Sequence, residues 1–424
     1  MKDRPAPMTI MRKINDLFDN SSSVPVKVLL LLLAAGCLAG RDPTLLAAPR
    51  FWAEEMTVYF AAALEGDGAL DVLTQTHLGY YSFIANFAGW LAAQLPLERA
   101  PYGTLAVAGV IQLAPFAIIV FGRSPLFAST ARKLLAGAVL LVFGAAGELF
   151  LNAVNSQVHL AVSVALIYLE LVREPERGLR AVLTGIAALA AVSSPQACFT
   201  TPAFWLRWWY RRKTADLWIA LVLTAGCLLQ AAVVLSGNGG GGTSRFRLTE
   251  DIGEWLQGMI EAVMRYPVFG SFSDNHGWMV LMIVIAGSLT FAAFQIRVLR
   301  QGPRRDWLLL AWGVSLLSIL ASLGMRGGDR YMMFGSVLLG LLLMAAVLDP
   351  EEPPVWRRIA GGLLAAGLLL QAVDWQPRLA GFHDPVWSTW SDEVREWRSG
   401  ETDRVRAHPQ WPGVNWSITL PPAE

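Results

Sequence analysis

Charged residues are scarce in this chain of 424 residues. Asp, Glu, Lys and Arg make up 16% of it, whereas hydrophobic residues make up 54%. Soluble domains usually carry about 25% charged residues. This composition predicts an all-α polytopic membrane protein, whose helices satisfy their own backbone hydrogen bonds. The formal net charge is only +1, so the overall charge does not favour a nucleic-acid partner.

Cysteine is also rare, with Cys37, Cys198 and Cys227 as its three occurrences. They lie in or beside apolar stretches, far apart and without the spacing of metal ligands. We expect them to be small buried hydrophobic residues. The segment 33–37 is only weakly similar to a lipoprotein cleavage site, so the first apolar span is interpreted as an uncleaved anchor.

Apolar stretches dominate the rest of the sequence. Twelve recur, at 24–40, 78–95, 104–122, 133–150, 156–172, 179–194, 197–209, 215–236, 278–296, 306–323, 330–348 and 356–374. Several are shorter than the ~20 residues that a perpendicular span needs. Some are therefore expected to be half-helices, interfacial helices or parts of a broken span.

Clusters of Lys and Arg orient these segments, because such clusters favour the cytoplasmic side of a membrane. They lie near the N-terminus and at 207–213, 297–305 and 356–358. The N-terminus is then cytoplasmic and the C-terminus faces the other side, which requires an odd number of crossings. We expect about 11 transmembrane helices. Either 78–95 lies flat on the outer surface, or 179–209 is one span broken at Pro195.

The same pattern divides the chain into three parts. Residues 1–23 are predicted to be a cytoplasmic leader, and residues 24–374 a transmembrane domain. Its outer loops are 41–77 and 237–277, and we expect interfacial helices in the first of them. Residues 375–424 are rich in Trp, Pro and charge, which predicts a small cap on the outer side.

Two adjacent carboxylates stand out in the first outer loop. Glu54 and Glu55 follow Arg50 and the aromatic pair Phe51-Trp52, directly after the first apolar span. Ionisable groups at a bilayer edge are costly and are usually functional. On a helix, neighbouring side chains point about 100° apart, so one carboxylate can face a reaction centre while the other pairs with a base. Solvated acids on an interfacial helix are the alternative.

The chemistry that such a carboxylate suits is the transfer of a sugar to a hydroxyl group. A base must take the hydroxyl proton as the new bond forms. Glu54 and Glu55 are therefore the candidate catalytic residues. Arg50 and Trp52 are candidate substrate contacts beside them.

A second polar set lies between apolar helices. Glu148, Asn152, Asn155 and His159 are spaced four, three and four residues apart, which predicts one shared helical face. Carboxylate and amide groups of this kind bind hydroxyl-rich ligands such as sugars. Interhelical hydrogen bonding is the alternative.

The remaining candidates lie where outer loops meet the membrane. Arg330 begins a late span, where a guanidinium can hold an anionic head group through paired hydrogen bonds, and Tyr331 follows it. Ordinary snorkelling at a helix end is the alternative for Arg330. Further candidate contacts of the same kind, with membrane anchoring as the alternative, are His77, Tyr80, Tyr81 and His276.

Taken in order, these residues resemble the GT-C superfamily of membrane glycosyltransferases. The stretch from Arg50 to Glu55 is similar to an acidic first-loop motif that reads Arg-Phe-Trp-Ala-Glu-Asp-Gly in a bacterial subgroup. The other matches along the chain are Gly79-Tyr80-Tyr81, Asn152-x-x-Asn155, Ser194-Pro195 before Pro202, Arg330-Tyr331 and Trp411-Pro412-Gly413. The motif's usual Asp-Gly is Glu55-Met56 here, which leaves open which glutamate is the base.

The resemblance implies a GT-C-like helix bundle in the bacterial inner membrane, with a periplasmic active site and a periplasmic C-terminal cap. The expected reaction moves a sugar from a polyprenyl-phosphate donor to a periplasmic glycan, lipid or protein, inverting the anomeric centre in one displacement. The loop acid is the base, and Arg330 holds the leaving phosphate. No cofactor or metal is expected, and membrane lipids surround the protein.

Two other classes of protein are alternatives. A transporter or flippase of a lipid-linked glycan would carry polar groups across the bilayer and two related halves, and the sequence has few mid-span charges and no obvious repeat. A glycan polymerase or an acyl-transferring enzyme would have other loop signatures, such as an intramembrane His.

Overall fold

The structure is a computed structural model. It describes residues 23–143, 149–171, 175–236, 252–270, 278–301, 304–323, 329–372, 388–407 and 416–421. Within these ranges the fold is all-α apart from one two-stranded antiparallel ribbon. The predicted fold class is confirmed at this level.

The first part of the chain contains six α-helices, four of them short. Its α-helices are α1 (Val24–Ala39), α2 (Pro43–Ala47), α3 (Ala61–Glu65), α4 (Ala69–Thr74), α5 (Phe83–Ala93) and α6 (Ala100–Phe121). A π-helical segment, Glu55–Phe60, leads into α3, and a 3-10 turn, Leu97–Arg99, leads into α6. The predicted helices of the first outer loop are therefore present.

The middle of the chain contains six α-helices. They are α7 (Thr130–Val142), α8 (Ser156–Glu170), α9 (Arg177–Ala191), α10 (Pro195–Cys198), α11 (Thr201–Arg211) and α12 (Thr214–Ser236). A 3-10 turn, Pro125–Phe127, precedes α7.

The last part adds seven more α-helices and the ribbon. They are α13 (Ile252–Ile260), α14 (Tyr266–Phe269), α15 (Trp278–Gln301), α16 (Arg305–Leu323), α17 (Met333–Leu348), α18 (Pro354–Ala372), α19 (Trp390–Arg398), β1 (Arg404–Arg406) and β2 (Ser417–Thr419). A π-helical segment, Glu261–Arg265, joins α13 to α14, and a 3-10 turn, Asp329–Met332, precedes α17.

Three of the described helices are long and apolar enough to cross a membrane, namely Leu97–Phe121, Thr214–Ser236 and Val280–Arg300. The pair Arg177–Ala191 and Pro195–Arg211 adds one more candidate if it is a single span, although it bends by 118°. The shorter apolar helices are α1, α5, α8 and α17. Length and composition thus establish fewer spans than the sequence pattern predicts.

The bend between α9 and α10 has a local cause. Pro195 cannot donate a backbone hydrogen bond, and its ring pushes the preceding residue out of the helical region. Ser194 accordingly has an extended backbone, and its side chain accepts a hydrogen bond from the N–H of Ala197 at 3.3 Å. Ser193 is fully buried beside it and accepts from the N–H of Ile84. The break therefore anchors the start of α5.

One end of the bundle is rich in basic groups and buried ion pairs. Arg207 of α11 pairs with Asp216 of α12 and lies over the ring of Tyr168 at 4.0 Å. Arg304 pairs with Asp349 and with Glu352, the latter at 3.0 Å. Arg207 and Arg304 belong to two of the basic clusters, 207–213 and 297–305, that the sequence pattern assigns to one side of the membrane.

The first loop and the C-terminal cap pack together at the opposite end. Phe51 stacks on Phe60 with ring centroids 4.6 Å apart and meets the edge of Trp390 at 5.1 Å. Met56 is fully buried in the same cluster. The indole of Trp390 donates to the carbonyl of Leu97 at 2.7 Å. The cap therefore packs directly against the acidic loop.

The described part of the second predicted outer loop, 252–270, is packed into the bundle. Tyr266, Val268 and Phe269 are buried. The side chain of Gln295 donates to the carbonyl of Val263, and that of Gln371 donates to the carbonyl of Pro267. Residues 252–270 therefore pack as helices against the bundle, whereas the sequence pattern predicted an outer loop.

Candidate functional site

Glu55 is tied to the backbone by both carboxylate oxygens. One oxygen accepts a hydrogen bond from the N–H of Ala153 at 2.5 Å. The other accepts from the N–H of Trp52 at 2.9 Å, and the Thr104 hydroxyl lies 3.5 Å from it. The side chain is only 2% exposed. Glu55 therefore joins the first loop to the segment before α8, and its oxygens are occupied.

Burial raises the pKa of Glu55 to about 7, because desolvation penalises the charged carboxylate. The hydrogen bonds from Ala153, Trp52 and Thr104 act in the opposite direction, since they stabilise the charge. The Coulomb repulsion of Glu54 adds a smaller rise. The shift is thus a property of a buried, structural carboxylate.

Glu54 has a different environment one residue earlier. It is half-buried and lines a pocket of about 380 Å³, which is within the usual size of a ligand site. Among the described residues, none donates a hydrogen bond to its carboxylate. Glu54 therefore presents an available carboxylate to the pocket, whereas Glu55 faces the protein interior.

Tyr80 is brought to the pocket by a tight turn. The N–H of Tyr80 donates to the carbonyl of His77 at 3.1 Å. Leu78 and Gly79 both have positive φ angles, 58° and 82°, and this conformation is unusual for a leucine. Backbone strain of this kind occurs at sites where the surrounding structure fixes one geometry. The turn presents Leu78 and Tyr80 to the pocket together.

The segment before α8 forms another wall. Gln112 accepts a hydrogen bond from the N–H of Leu151 at 3.0 Å and donates towards the carbonyls of Leu149 and Asn152. Leu151 has a φ of 58°, so the backbone here is also held in an uncommon conformation. The side chain of Asn152 accepts from the N–H of Asn155 at 2.7 Å. Asn155 lines the pocket, and Asn152 holds the turn behind it.

The prediction of one helical face from Glu148 to His159 is wrong, because α8 begins only at Ser156. His159 is 2% exposed, meets the ring of Phe150 edge-on at 5.2 Å and does not line the pocket. Glu148 lies outside the described residues. Of this set, Asn155 is the residue that the structure brings to the pocket.

Several other predicted contacts serve the scaffold. Tyr81 exchanges two backbone hydrogen bonds with the side chain of Gln230, at 3.0 and 2.8 Å. Its hydroxyl donates to the carbonyl of Leu73 at 2.7 Å. Trp52 is buried, and its N–H is one of the donors to Glu55. Tyr81 and Trp52 are not among the residues that line the pocket.

Arg50 and His77 also lie away from the pocket lining. Burial lowers the pKa of Arg50, while Glu393 and Asp392 of the cap raise it. Arg50 therefore interacts electrostatically with the two carboxylates of the cap. His77 packs edge-on against Tyr59 at 5.3 Å, and burial lowers its pKa.

Tyr331 lines the same pocket as Glu54. It belongs to the 3-10 turn Asp329–Met332, whose backbone also carries Arg330. The side chain of Arg330 and the whole of His276 lie outside what the structure describes. The turn that carries Arg330 thus adjoins the pocket that holds Glu54.

Three glutamines that line the pocket were not predicted from the sequence, namely Gln157, Gln196 and Gln230. Gln157 lies in the first turn of α8, and its amide is 3.4 Å from the hydroxyl of Tyr80. Gln196 follows Pro195 and donates to the hydroxyl of Ser318 at 3.5 Å. A signal was available for Gln157, because it follows the Asn152-x-x-Asn155 motif directly. Gln196 could have been suspected from its place beside the helix break.

The pocket lining contains both polar and apolar residues. The polar groups are Glu54, Tyr80, Asn155, Gln157, Gln196, Gln230 and Tyr331. The apolar residues include Phe199, Ala231 and Val234. Such a lining suits a ligand with a hydroxylated part and a hydrocarbon part. In the described ranges, no three His, Cys, Asp or Glu side chains are grouped as a metal site.

No protein-family profile matches this chain, and no curated protein matches it.

Proposed function

We propose that this protein is an integral-membrane glycosyltransferase of the GT-C type. It transfers a hexose or pentose from a polyprenyl-phosphate donor to a periplasmic glycan, lipid or protein. Glu54 is the base that deprotonates the acceptor hydroxyl. The observation that carries the proposal is the available Glu54 carboxylate in a pocket that also presents phenol and amide groups.

The division of roles between the two glutamates supports this proposal. A general base must lie within hydrogen-bond reach of the proton that it takes. Glu54 faces open space beside Tyr80 and Asn155. Both oxygens of Glu55 are occupied by backbone donors, so Glu55 positions the loop and does not take part in proton transfer.

The mixed lining of the pocket supports a lipid-linked donor. Asn155 and Gln157 offer amide groups to sugar hydroxyls, while Phe199 and Val234 offer apolar surface to an isoprenoid chain. In this proposal Arg330, in the turn next to Tyr331, holds the phosphate that leaves. The inverting displacement then needs the acceptor between Glu54 and the anomeric carbon.

A bundle of about 11 crossings is part of the proposal. With α10–α11 taken as one bent span, the proposed crossings are α1, α6, α7, α8, α9, α10–α11, α12, α15, α16, α17 and α18. Helix α5 has only 11 residues and starts beside Val192, at the pocket end of α9. In the proposal α5 lies on the outer surface, because its length of ~16 Å is too short for a span.

The proposed location is the bacterial inner membrane. The N-terminus is cytoplasmic because the basic end of the bundle belongs on that side. The pocket, the first loop and the cap then face the periplasm. No cofactor or metal is proposed, and the donor is a substrate.

The test is sugar transfer by the purified protein in proteoliposomes. The preparation is supplied with radiolabelled polyprenyl-phosphate hexoses and pentoses and with an envelope extract as the source of acceptors. We expect label to move from the lipid to an acceptor with one donor of this class, and Glu54→Gln to abolish the transfer. Equal labelling by wild type and Glu54→Gln would contradict the proposed base. Movement of intact donor across the bilayer without transfer would favour the flippase alternative.

A further inference from the structure

Two cysteines that are far apart in sequence meet in the pocket wall. Cys198 ends α10, and Cys227 lies in α12. The thiol of Cys227 donates to the carbonyl oxygen of Cys198 at 3.6 Å. Both residues line the pocket. Their spacing does not predict this contact, because 29 positions separate them.

The surroundings of Cys227 favour thiol chemistry. Its sulfur lies 3.3 Å from the hydroxyl oxygen of Thr201. A hydroxyl that donates to sulfur stabilises the thiolate, and the thiolate is the form that attacks a disulfide. Cys227 is half-buried and Cys198 is 8% exposed, so a reagent reaches this pair through the pocket.

We propose that Cys198 and Cys227 are a redox modification site, at which a reversible disulfide closes this wall of the pocket. An external disulfide is the oxidant. The thiolate of Cys227 attacks one sulfur of that disulfide, breaks its S–S bond and releases one thiol, which leaves a mixed disulfide. The thiol of Cys198 then loses its proton and displaces the second external thiol. Two protein thiols lose two protons and two electrons, and the external disulfide gains them.

The bond draws two elements of the pocket together. A disulfide has an S–S length of about 2.05 Å, which is shorter than any contact between two thiols. Cys198 belongs to the short helix at the break after Ser194, and Cys227 to the long helix α12. The cross-link therefore fixes the break against α12 and narrows the space between Phe199 and Ala231, which line the pocket beside the two cysteines.

The chain provides its own control thiol. Cys37 lies in α1 and is not among the residues that line the pocket. The purified full-length protein is treated with oxidised glutathione, its free thiols are then alkylated, and its peptides are analysed by mass spectrometry. We expect a peptide pair joined through Cys198 and Cys227 that lacks two hydrogen atoms, with Cys37 alkylated. Alkylation of both pocket cysteines, or a stable mixed disulfide on each, would overturn the proposal.

The effect on the pocket is tested separately, and this part rests on the proposed function. Transfer by oxidised and reduced protein is compared within each of wild type, Cys37→Ser, Cys198→Ala and Cys227→Ser. We expect oxidation to abolish transfer, reversibly by dithiothreitol, in wild type and Cys37→Ser, and to change nothing in Cys227→Ser, which lacks the attacking thiol. Cys198→Ala lacks the resolving thiol and should instead keep a glutathione mixed disulfide on Cys227. If the cross-link forms and wild-type transfer is unchanged, the claim that the disulfide closes the pocket is wrong.

The two readouts separate the two proposals. The cross-link is measured without any substrate, so it tests the modification site even if no sugar is transferred. If glutathione treatment of wild type forms no Cys198–Cys227 cross-link while sugar is still transferred, the modification site is overturned and the proposed function stands.

Discussion

Glu54 and Glu55 are adjacent residues with the same side chain and different surroundings. Glu55 begins a π-helical segment, and the turn directs its carboxylate towards Ala153. Glu54 points elsewhere because successive helical side chains diverge by about 100°, and it lines the pocket. The geometry of one helical turn thus separates a positioning carboxylate from an available one.

Replacing one carboxylate oxygen of Glu55 with an amide nitrogen should weaken the fold. In the wild type, each carboxylate oxygen of Glu55 accepts a hydrogen bond from a backbone N–H. In Glu55→Gln, the amide has only one oxygen to accept from these two donors. At least one buried N–H then loses its partner, at a cost of about 1–3 kcal/mol. Chemical or thermal unfolding in detergent measures this loss. Unchanged stability of Glu55→Gln, compared with Glu65→Gln at an exposed position of the same loop, would show that Glu55 does not hold the loop.

The raised pKa of Glu55 predicts a pH dependence of stability. The unfolded carboxyl titrates near its ordinary value of 4.5, whereas the folded one holds its proton up to about 7. Between these values the folded state binds more protons, so its stability falls as pH rises. Unfolding midpoints across this window should therefore decline more steeply for wild type than for Glu55→Gln. Parallel slopes in the two proteins would rule out this contribution.

At the level of residues, the sequence predicted the acidic pair and could not assign its members. The assignment depends on Ala153, whose N–H reaches Glu55 across 98 positions of the chain. Spacing was also misleading for Asn152, because the non-helical turn before Ser156 breaks the expected helical face. Gln157 and Gln196 were not predicted, because the pocket that they line is formed by helices that are far apart in sequence.

Among the elements, the contact between the first loop and the cap has the clearest energetic consequence. Met56 stands where the resembling motif has glycine, and its side chain fills the cluster around Phe51 and Trp390. Met56 therefore adds hydrophobic packing to the loop, whereas a glycine at this position would make its backbone more flexible. The cap helix α19 is stabilised locally by a capping box between Thr389 and Asp392.

Truncating the centre of that cluster should destabilise the loop and the cap together. Trp390→Ala removes a fully packed indole and its hydrogen bond to Leu97, which costs about 3–5 kcal/mol. Arg398→Gln is the matched control in the same helix. Its ion pair with Glu98 is exposed, so its loss should cost no more than about 1 kcal/mol. Thermal unfolding of both variants measures the difference, and equal effects would show that surface charge holds the cap.

For the whole molecule, the apolar segments of the sequence agree well with the described helices. The segment predicted at 215–236 is Thr214–Ser236, and the one predicted at 306–323 is Arg305–Leu323. Hydropathy could not show that the chain turns by 118° at Ser194, since both sides of a bend are equally apolar. It also could not show that residues 252–270 enter the core, because packing against Gln295 and Gln371 is a tertiary contact.

The arrangement of charges predicts the orientation of the whole bundle. The basic end, marked by Arg207 and Arg304, should face the cytoplasm. A reporter enzyme that is active only outside the cytoplasm should be active after residue 424 and inactive when inserted at 302–303. The reverse pattern would place the pocket on the cytoplasmic side and contradict a periplasmic reaction.

The most direct test of the account is a single-turnover comparison of Glu54→Gln with Glu65→Gln, with donor binding measured in the same preparations. We expect Glu54→Gln to bind the donor within a few-fold of wild type and to transfer sugar about 10²–10⁴ times more slowly, because only the proton acceptor is lost. Glu65→Gln should transfer at the wild-type rate. Transfer by Glu54→Gln at that same rate would contradict the central claim that Glu54 is the base.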